Sequence, residues 1–223
     1  DCLSLYGVAR ELVAFSDAKL KSELESKSYP NESLNFTVNV DAKEEVLIYS
    51  CALIKNVNVS NKSPDFVIEY LDKIGVGSIN NVVDTANYLM YEQGQPFHAF
   101  DADKIAGDLT VRYARANEEV IVLTGEKLTL DTDVLVIADS EKIIAIAGLM
   151  GSADSSVDDN TKNILIESAH FSEEAIARSC RRYKLNSDSA YRFERGVDCN
   201  RTVLLRDRLV YIIAHELGGD YCG

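Results

Sequence analysis

Residues 82–101, VVDTANYLMYEQGQPFHAFD, gather the side chains best suited to chemistry in this chain: Asp84, Asn87, Tyr91 and His98. A carboxylate, an amide and an imidazole within fifteen residues can form one wall of a polar pocket. They can equally serve locally, with Asp84 capping a helix and His98 held as a structural histidine. Spacing alone leaves both readings open. Residues 88–93 run helix-like, and on a helix Asn87 and Tyr91, four apart, share a face. Gly94, Gln95 and Pro96 break the run and leave His98 at the edge of an element.

Glu167 is the most informative carboxylate. It follows Ile164, Leu165 and Ile166, and strand alternation places Leu165 and Glu167 on one face. A carboxylate among apolar neighbours is costly to bury alone, so the pattern implies either a salt bridge to a nearby arginine or a bound polar ligand. Upstream, Ala147-Gly148-Leu149-Met150-Gly151 sets two glycines three apart after a strand. Such backbone can approach a ligand closely and offer bare N–H groups, or simply make a tight turn. It lacks the spacing of a dinucleotide or phosphate loop. Residues 172–184 and 191–195 carry six basic side chains (Arg178, Arg181, Arg182, Lys184, Arg192, Arg195). With Arg112 and Arg115 they form either a face for an RNA backbone or a salt-bridged helix surface. Ser155, Ser156, Ser187 and Ser189 sit in no nucleophile motif, and the three isolated histidines argue against a metal hydrolase.

The elements that must position these groups are mixed. Leu5, Val8, Leu12 and Val13 give residues 1–20 a helical period, and residues 21–33 read as a linker. Residues 34–40 alternate as a strand, and residues 46–59 form one long strand or two. Pro64 opens a helix over 65–74 that Gly75 and Gly77 close. Strands follow at 109–114, 134–139, 142–147 and 164–168, with a hairpin of 119–123 and 127–130 around Thr124-Gly125-Glu126. A helix with an acidic first turn starts at Ser172, and residues 202–217 read as a closing helix. This order predicts an α+β fold of layered mixed and antiparallel sheets with flanking helices, not a βαβ repeat.

With 223 residues, 46% hydrophobic and 26% charged, the chain has ample material for one large domain or two small ones. No apolar run approaches eighteen residues, so no membrane partner is expected. The five cysteines are scattered, which predicts free thiols, a reducing cytoplasmic setting and no structural zinc. A net charge of −13 argues against a dedicated phosphate-binding module. The first residue is Asp within a helical pattern, which suggests a piece of a longer polypeptide.

Four runs, VVDTANYLMYEQGQPFHAFDADKI, AIAGLMGS, ILIESAHF and SAYRFERGVD, occur in an order and spacing that resemble the B3/B4 editing domain of bacterial-type phenylalanyl-tRNA synthetase beta subunits. The likeness runs from about Tyr49 to Asp198, and DCLSLYGVAREL resembles the segment just before it. The resemblance implies a B3/B4-like fold with the domain proper at residues 39–200. Residues 1–38 would then be a helix and linker from a preceding module, and residues 201–223 a helix leading to the next. It implies hydrolysis of tyrosine wrongly joined to tRNA(Phe), by a second sieve that requires the extra hydroxyl. Glu167 would accept the tyrosine phenol, and a buried acceptor left unpaired penalises phenylalanine by roughly 1–3 kcal/mol. His98 and Asn87 would surround the ester and its water as the catalytic pair. Ala147, Gly148, Gly151, Ala86, Ser187 and Ser189 would line the substrate site. No metal site and no cofactor are implied here; ATP and Mg²⁺ would serve the parent synthetase. The implied partners are tRNA(Phe), tyrosine as editing ligand, and the alpha subunit of a heterotetramer. Three positions depart from the family pattern: Ala86 where Thr is frequent, Gly77 where Arg is frequent, and Ser189 where Ala sizes the pocket. These departures sustain an alternative, a structural or tRNA-docking module that has lost editing.

Overall fold

A computed structural model describes residues 2–21, 28–29 and 37–223. The linker expected at 21–33 and the first half of the strand expected at 34–40 lie mostly outside the described residues. The chain begins with helix α1 (Leu5–Ala14), whose N-cap Ser4 accepts the Gly7 N–H at 2.9 Å. Then come strands β1 (Val38–Val40) and β2 (Ile48–Lys55) and helices α2 (Asp65–Lys73) and α3 (Asn81–Gln93). Strands β3 (Phe97–Asp101), β4 (Leu109–Tyr113), β5 (Glu119–Ile121), β6 (Lys127–Thr129), β7 (Leu135–Ala138), β8 (Ile143–Ile146), β9 (Met150–Gly151) and β10 (Ile164–His170) follow. Helices α4 (Glu173–Tyr183), α5 (Asp188–Phe193) and α6 (Thr202–Ile212) precede a π-helical turn over Ile213–Leu217 and strand β11 (Asp220–Tyr221).

Two main sheets form. One has the order β1-β4-β7-β8-β9, with β1 parallel to β4 and the rest antiparallel; the other is antiparallel, in the order β11-β2-β10-β3. Strands β5 and β6 make the expected hairpin. The β-rich run at 46–59 is a single strand, β2. The four-stranded sheet buries its centre strand on both faces: all seven residues of β10 are buried. Its even-numbered residues Ile164 and Ile166 pack with Val82, Leu89, Leu209 and Val210 of α3 and α6. Its odd-numbered residues Leu165 and Ala169 pack with Ile137, Ile144 and Ile146 of the five-stranded sheet and with Ile176 and Phe193 of α4 and α5. A strand buried on both faces reads as a continuous apolar run, which is why Glu167 stands out in it.

Helix α3 starts seven residues before the helical run at 88–93. Asn80 is its N-cap and accepts the Val83 N–H at 2.9 Å. Asp84 therefore does not cap the helix. Its fully buried carboxylate accepts from Ser63 Oγ, Ser78 Oγ and the Ile79 N–H, tying the first turn to the segment before it. Gly94, at φ +88°, ends the helix with its N–H on the Met90 carbonyl, as left-handed C-cap geometry requires. The pattern around His98 suggested only an element edge; it is in fact strand β3, at the edge of its sheet. Helix α6, assigned from sequence to a junction with a following module, buries Leu205, Leu209 and Val210 against this domain.

Candidate functional site

The edge strand β3 of one sheet meets the edge strand β9 of the other, and a pocket with about 370 Å³ of empty space, including its mouth, opens between them. Phe97 and His98 line it from β3, Ala145 and Ile146 from β8, and Glu167 from β10. Residues 148–151 and, from α5, Ser189 and Phe193 close the remaining sides. Apolar walls with a few converging polar groups are the usual make-up of a small-ligand site.

Glu167 sits in the centre strand, in register with Cys51 on β2 and His98 on β3. It is buried at 5% exposure, and no arginine pairs with it among the described residues. The Tyr49 hydroxyl donates to its Oε2 at 3.3 Å. Burial pushes the carboxyl up to about 8, with the Tyr49 hydrogen bond opposing the rise. The salt-bridge reading of Glu167 is thus not what the structure shows: the pocket face of the sheet offers it a phenol and a thiol, not a cation.

His98 is half-buried, but its Nε2 is shielded from solvent and has no hydrogen-bond partner among the described residues. The ring stands edge-on to Phe100 with centroids 4.4 Å apart. Burial lowers its pKa to about 4, so the imidazole is neutral at pH 7. Gly151 makes this position possible, because a Cβ there would lie 2.5 Å from His98 Cε1 and 2.6 Å from Nε2. Gly148 has a different duty. At φ +66° it turns the chain, and a Cβ would lie 2.7 Å from Ile176 Cδ1 and 3.0 Å from Phe171 Cδ2. Of the two glycines, one admits the imidazole and the other admits the core.

The remaining sequence-derived positions separate. Ser189 lines the pocket, its Oγ 3.8 Å from Met90 Sδ. Ser187 stands behind the lining: its Oγ accepts the Ala190 N–H as cap of α5 and donates to the Leu149 carbonyl at 2.9 Å. It thereby fastens α5 to the pocket backbone. Ala147 is buried in the core between the sheets, its N–H on the Leu135 carbonyl. Ala86 is buried between α3, α6 and the opposite sheet face, and Asn87 is half-buried on α3; neither is among the residues lining the pocket. Gly77 lies in an exposed loop after α2. Tyr49, Phe97, Met150 and Phe193 escaped sequence reasoning. Tyr49 and Phe97 carried only the apolar or aromatic alternation that every core strand shares, and Phe193 only an apolar position on a short helix.

The basic cluster is largely spent on the chain's own acids. Arg112 holds Glu118 through two bonds of 2.8 Å, Arg178 and Arg182 pair with Asp133, and Arg195 pairs with Glu194. Arg192 is buried, with its guanidinium on the Asp188 and Leu3 carbonyls and over the Tyr91 ring. Among the described residues no group of three His, Cys, Asp or Glu converges to hold a metal ion, and no helix is long and apolar enough to cross a membrane.

Comparison with known proteins agrees with this architecture. The profile of the B3/4 domain matches residues 46–218. Curated phenylalanine–tRNA ligase beta subunits are similar: that of Francisella tularensis is 48% identical over 89% of this chain and 25% of its own length. Those of Fusobacterium nucleatum and Aquifex aeolicus are 42% and 40% identical over 99% and 98% of this chain, and each is covered over 28% of its length. The chain thus spans about a quarter of the relatives it matches. A crystal structure of an N-terminal fragment of the phenylalanyl-tRNA synthetase beta subunit from Pyrococcus horikoshii superposes with a TM-score of 0.57 at 18% identity, over 96% of this chain and 57% of that one. At that identity the likeness speaks for the fold alone. With its α+β layers, its edge-strand pocket and a domain match across most of its length, the chain belongs to the B3/4 domain family as it occurs in phenylalanine–tRNA ligase beta subunits.

Proposed function

We propose that this domain removes tyrosine wrongly esterified to tRNA(Phe), as the editing site of a synthetase that joins phenylalanine to that tRNA. Its parent would supply the aminoacylation site, with ATP and Mg²⁺, and an alpha-subunit partner. The pocket lining carries no lysine or arginine that would hold nucleotide phosphates. The observation that carries the reading is Glu167, a buried carboxyl without a cation, in the wall of an otherwise apolar pocket. Phenylalanine would leave the carboxyl oxygen not engaged by Tyr49 unsatisfied, whereas tyrosine brings a second O–H for it. A buried polar group left without its partner costs roughly 1–3 kcal/mol, which is the scale of the discrimination.

The reaction balances as hydrolysis. Water adds to the ester carbonyl carbon, the bond from that carbon to the ribose oxygen breaks, and the ribose hydroxyl leaves with a proton as free tyrosine forms. His98 is neutral, and its ring, standing in the pocket wall, orients the ester and the attacking water. The extended backbone at Met150–Gly151 lies against the imidazole and limits how it can turn. Orientation in a largely dry site then supplies most of the effect, and no covalent nucleophile is needed.

The test is deacylation of tyrosyl-tRNA(Phe) by the intact synthetase, comparing wild type with Glu167→Ala and His98→Ala. Wild type is expected to hydrolyse tyrosyl-tRNA and spare phenylalanyl-tRNA. Glu167→Ala should erase the preference and His98→Ala should slow the chemical step. Background rates in the wild type would reject editing and leave the docking-module reading, which the hydroxyl of Ser189 in the pocket wall favours.

A further inference from the structure

Glu167 can select a phenol only if one of its oxygens is held in place. A carboxyl at the end of a flexible side chain turns about its last bond, and an acceptor that turns does not discriminate by direction. We propose that Tyr49 is the positioning residue for this site: its hydroxyl ties down Oε2 of Glu167, so that Oε1 is the oxygen presented to a phenolic ligand. This rests on the reading of the pocket as a tyrosine-selective site, and it adds a specificity-determining residue outside the pocket lining.

The geometry comes from strand register. β10 lies between β2 and β3, so Glu167 has Cys51 on one side and His98 on the other. Tyr49 is two residues before Cys51, on the same face of β2 and on the side away from the pocket. Its ring stands edge-on to Phe171 at 6.5 Å, which fixes the hydroxyl's reach. From there the hydroxyl donates to Oε2 at 3.3 Å, and Oε1 has no protein partner among the described residues. An ionised carboxylate accepts on both oxygens, so tie and ligand do not compete. Tyr49 offers from behind the same functional group that the ligand would offer from the front.

The groups facing Glu167 are few. Tyr49 and Cys51 face it from β2 and His98 from β3; the five-stranded sheet and α5 contribute apolar side chains and Ser189. Arg206 approaches β2 from α6 on the other sheet face, and its guanidinium is taken up by Asp207, Ser50 Oγ and the Cys51 carbonyl. Among the described residues Tyr49 is thus the side-chain donor that favours the ionised carboxylate, the stronger acceptor for a phenol.

Tyr49→Phe keeps the ring against Phe171 and removes only the hydroxyl. In the intact synthetase, hydrolysis of tyrosyl-tRNA(Phe) and phenylalanyl-tRNA(Phe) would be followed across pH 6 to 9.5, with Glu167→Ala alongside. For tyrosyl-tRNA, KM in the wild type is expected to fall as Glu167 ionises. In Tyr49→Phe that fall should move to higher pH, with kcat/KM lower by about 3- to 10-fold near neutrality and mostly through KM. Phenylalanyl-tRNA should show neither change. A variant matching the wild type while Glu167→Ala loses the preference for tyrosyl-tRNA overturns the role of Tyr49 and leaves the editing site standing. A loss on tyrosyl-tRNA with the pH dependence unmoved means packing alone, and also overturns it. No wild-type hydrolysis rejects the editing reading itself, and this proposal with it.

Discussion

Replacing Glu167 with glutamine keeps the shape of the side chain and removes its capacity to ionise, so it isolates what burial of this carboxyl costs. Burial raises the folded-state value to about 8 from an ordinary 4.5. Between those two values the folded chain holds a proton that the unfolded chain has released. Stability therefore falls as pH rises from 4.5 through about 8 and is level above that. At 1.36 kcal/mol per pH unit the interval amounts to roughly 5 kcal/mol for a dry site. Water admitted at the pocket mouth screens part of the charge, which sets the expected range at about 2–5 kcal/mol. His98 acts in the opposite sense. Its value is lowered from 6.5 to about 4, so stability rises with pH across that interval. That contribution is common to wild type and variant and cancels in their difference. The assay is urea unfolding of both proteins at half-unit steps from pH 5 to pH 9. The unfolding free energy of Glu167→Gln minus that of wild type should grow steadily with pH up to about 8 and then level. A difference flat to within about 0.5 kcal/mol over that range would refute the argument that Glu167 is buried without a compensating charge.

Two glycine substitutions separate the duties of the pocket backbone. Gly148→Ala forces an L side chain to φ +66° and into Ile176 and Phe171, so it should lose roughly 2–4 kcal/mol in chemical denaturation; a loss under about 1 kcal/mol would mean the turn can relax. Gly151→Ala pushes on the far end of the His98 ring, so its stability cost should be smaller, about 1–2 kcal/mol, while tyrosyl-tRNA hydrolysis drops at least about 10-fold. Full activity in that variant would show that the position of the imidazole is not used.

Much of the architecture was legible in the order of residues. Alternation located β4, β7, β8 and β10, glycine and proline punctuation bounded α2 and the end of α3, and Ser172 with its acidic first turn marked α4. These signals are local and survive without knowledge of partners. Glu167 was visible for the same reason, since one carboxylate in an apolar run breaks the pattern wherever the strand lies. Some local signals still misled. Asp84 looks like a cap, but Asn80 is the one hydrogen-bonded to the helix terminus, because a polar residue in the first turn can equally serve the segment folding back on it. The run of arginines looks like an RNA face, yet Asp131, Asp133 and Glu118, distant or unremarkable in sequence, neutralise much of it.

The sequence by itself determined which groups are available: a carboxyl in an apolar strand, a histidine after a Gly-Gln-Pro break, and glycines where backbone must come close. Only the tertiary structure decided which of them meet. Register between β2, β10 and β3 put Tyr49 and His98 on either side of Glu167, and the approach of two sheet edges set Gly151 under the imidazole. The same packing turned Ala86 toward the opposite core. Register and sheet packing depend on contacts between residues tens to more than a hundred positions apart, and no local spacing encodes which strand will lie beside which.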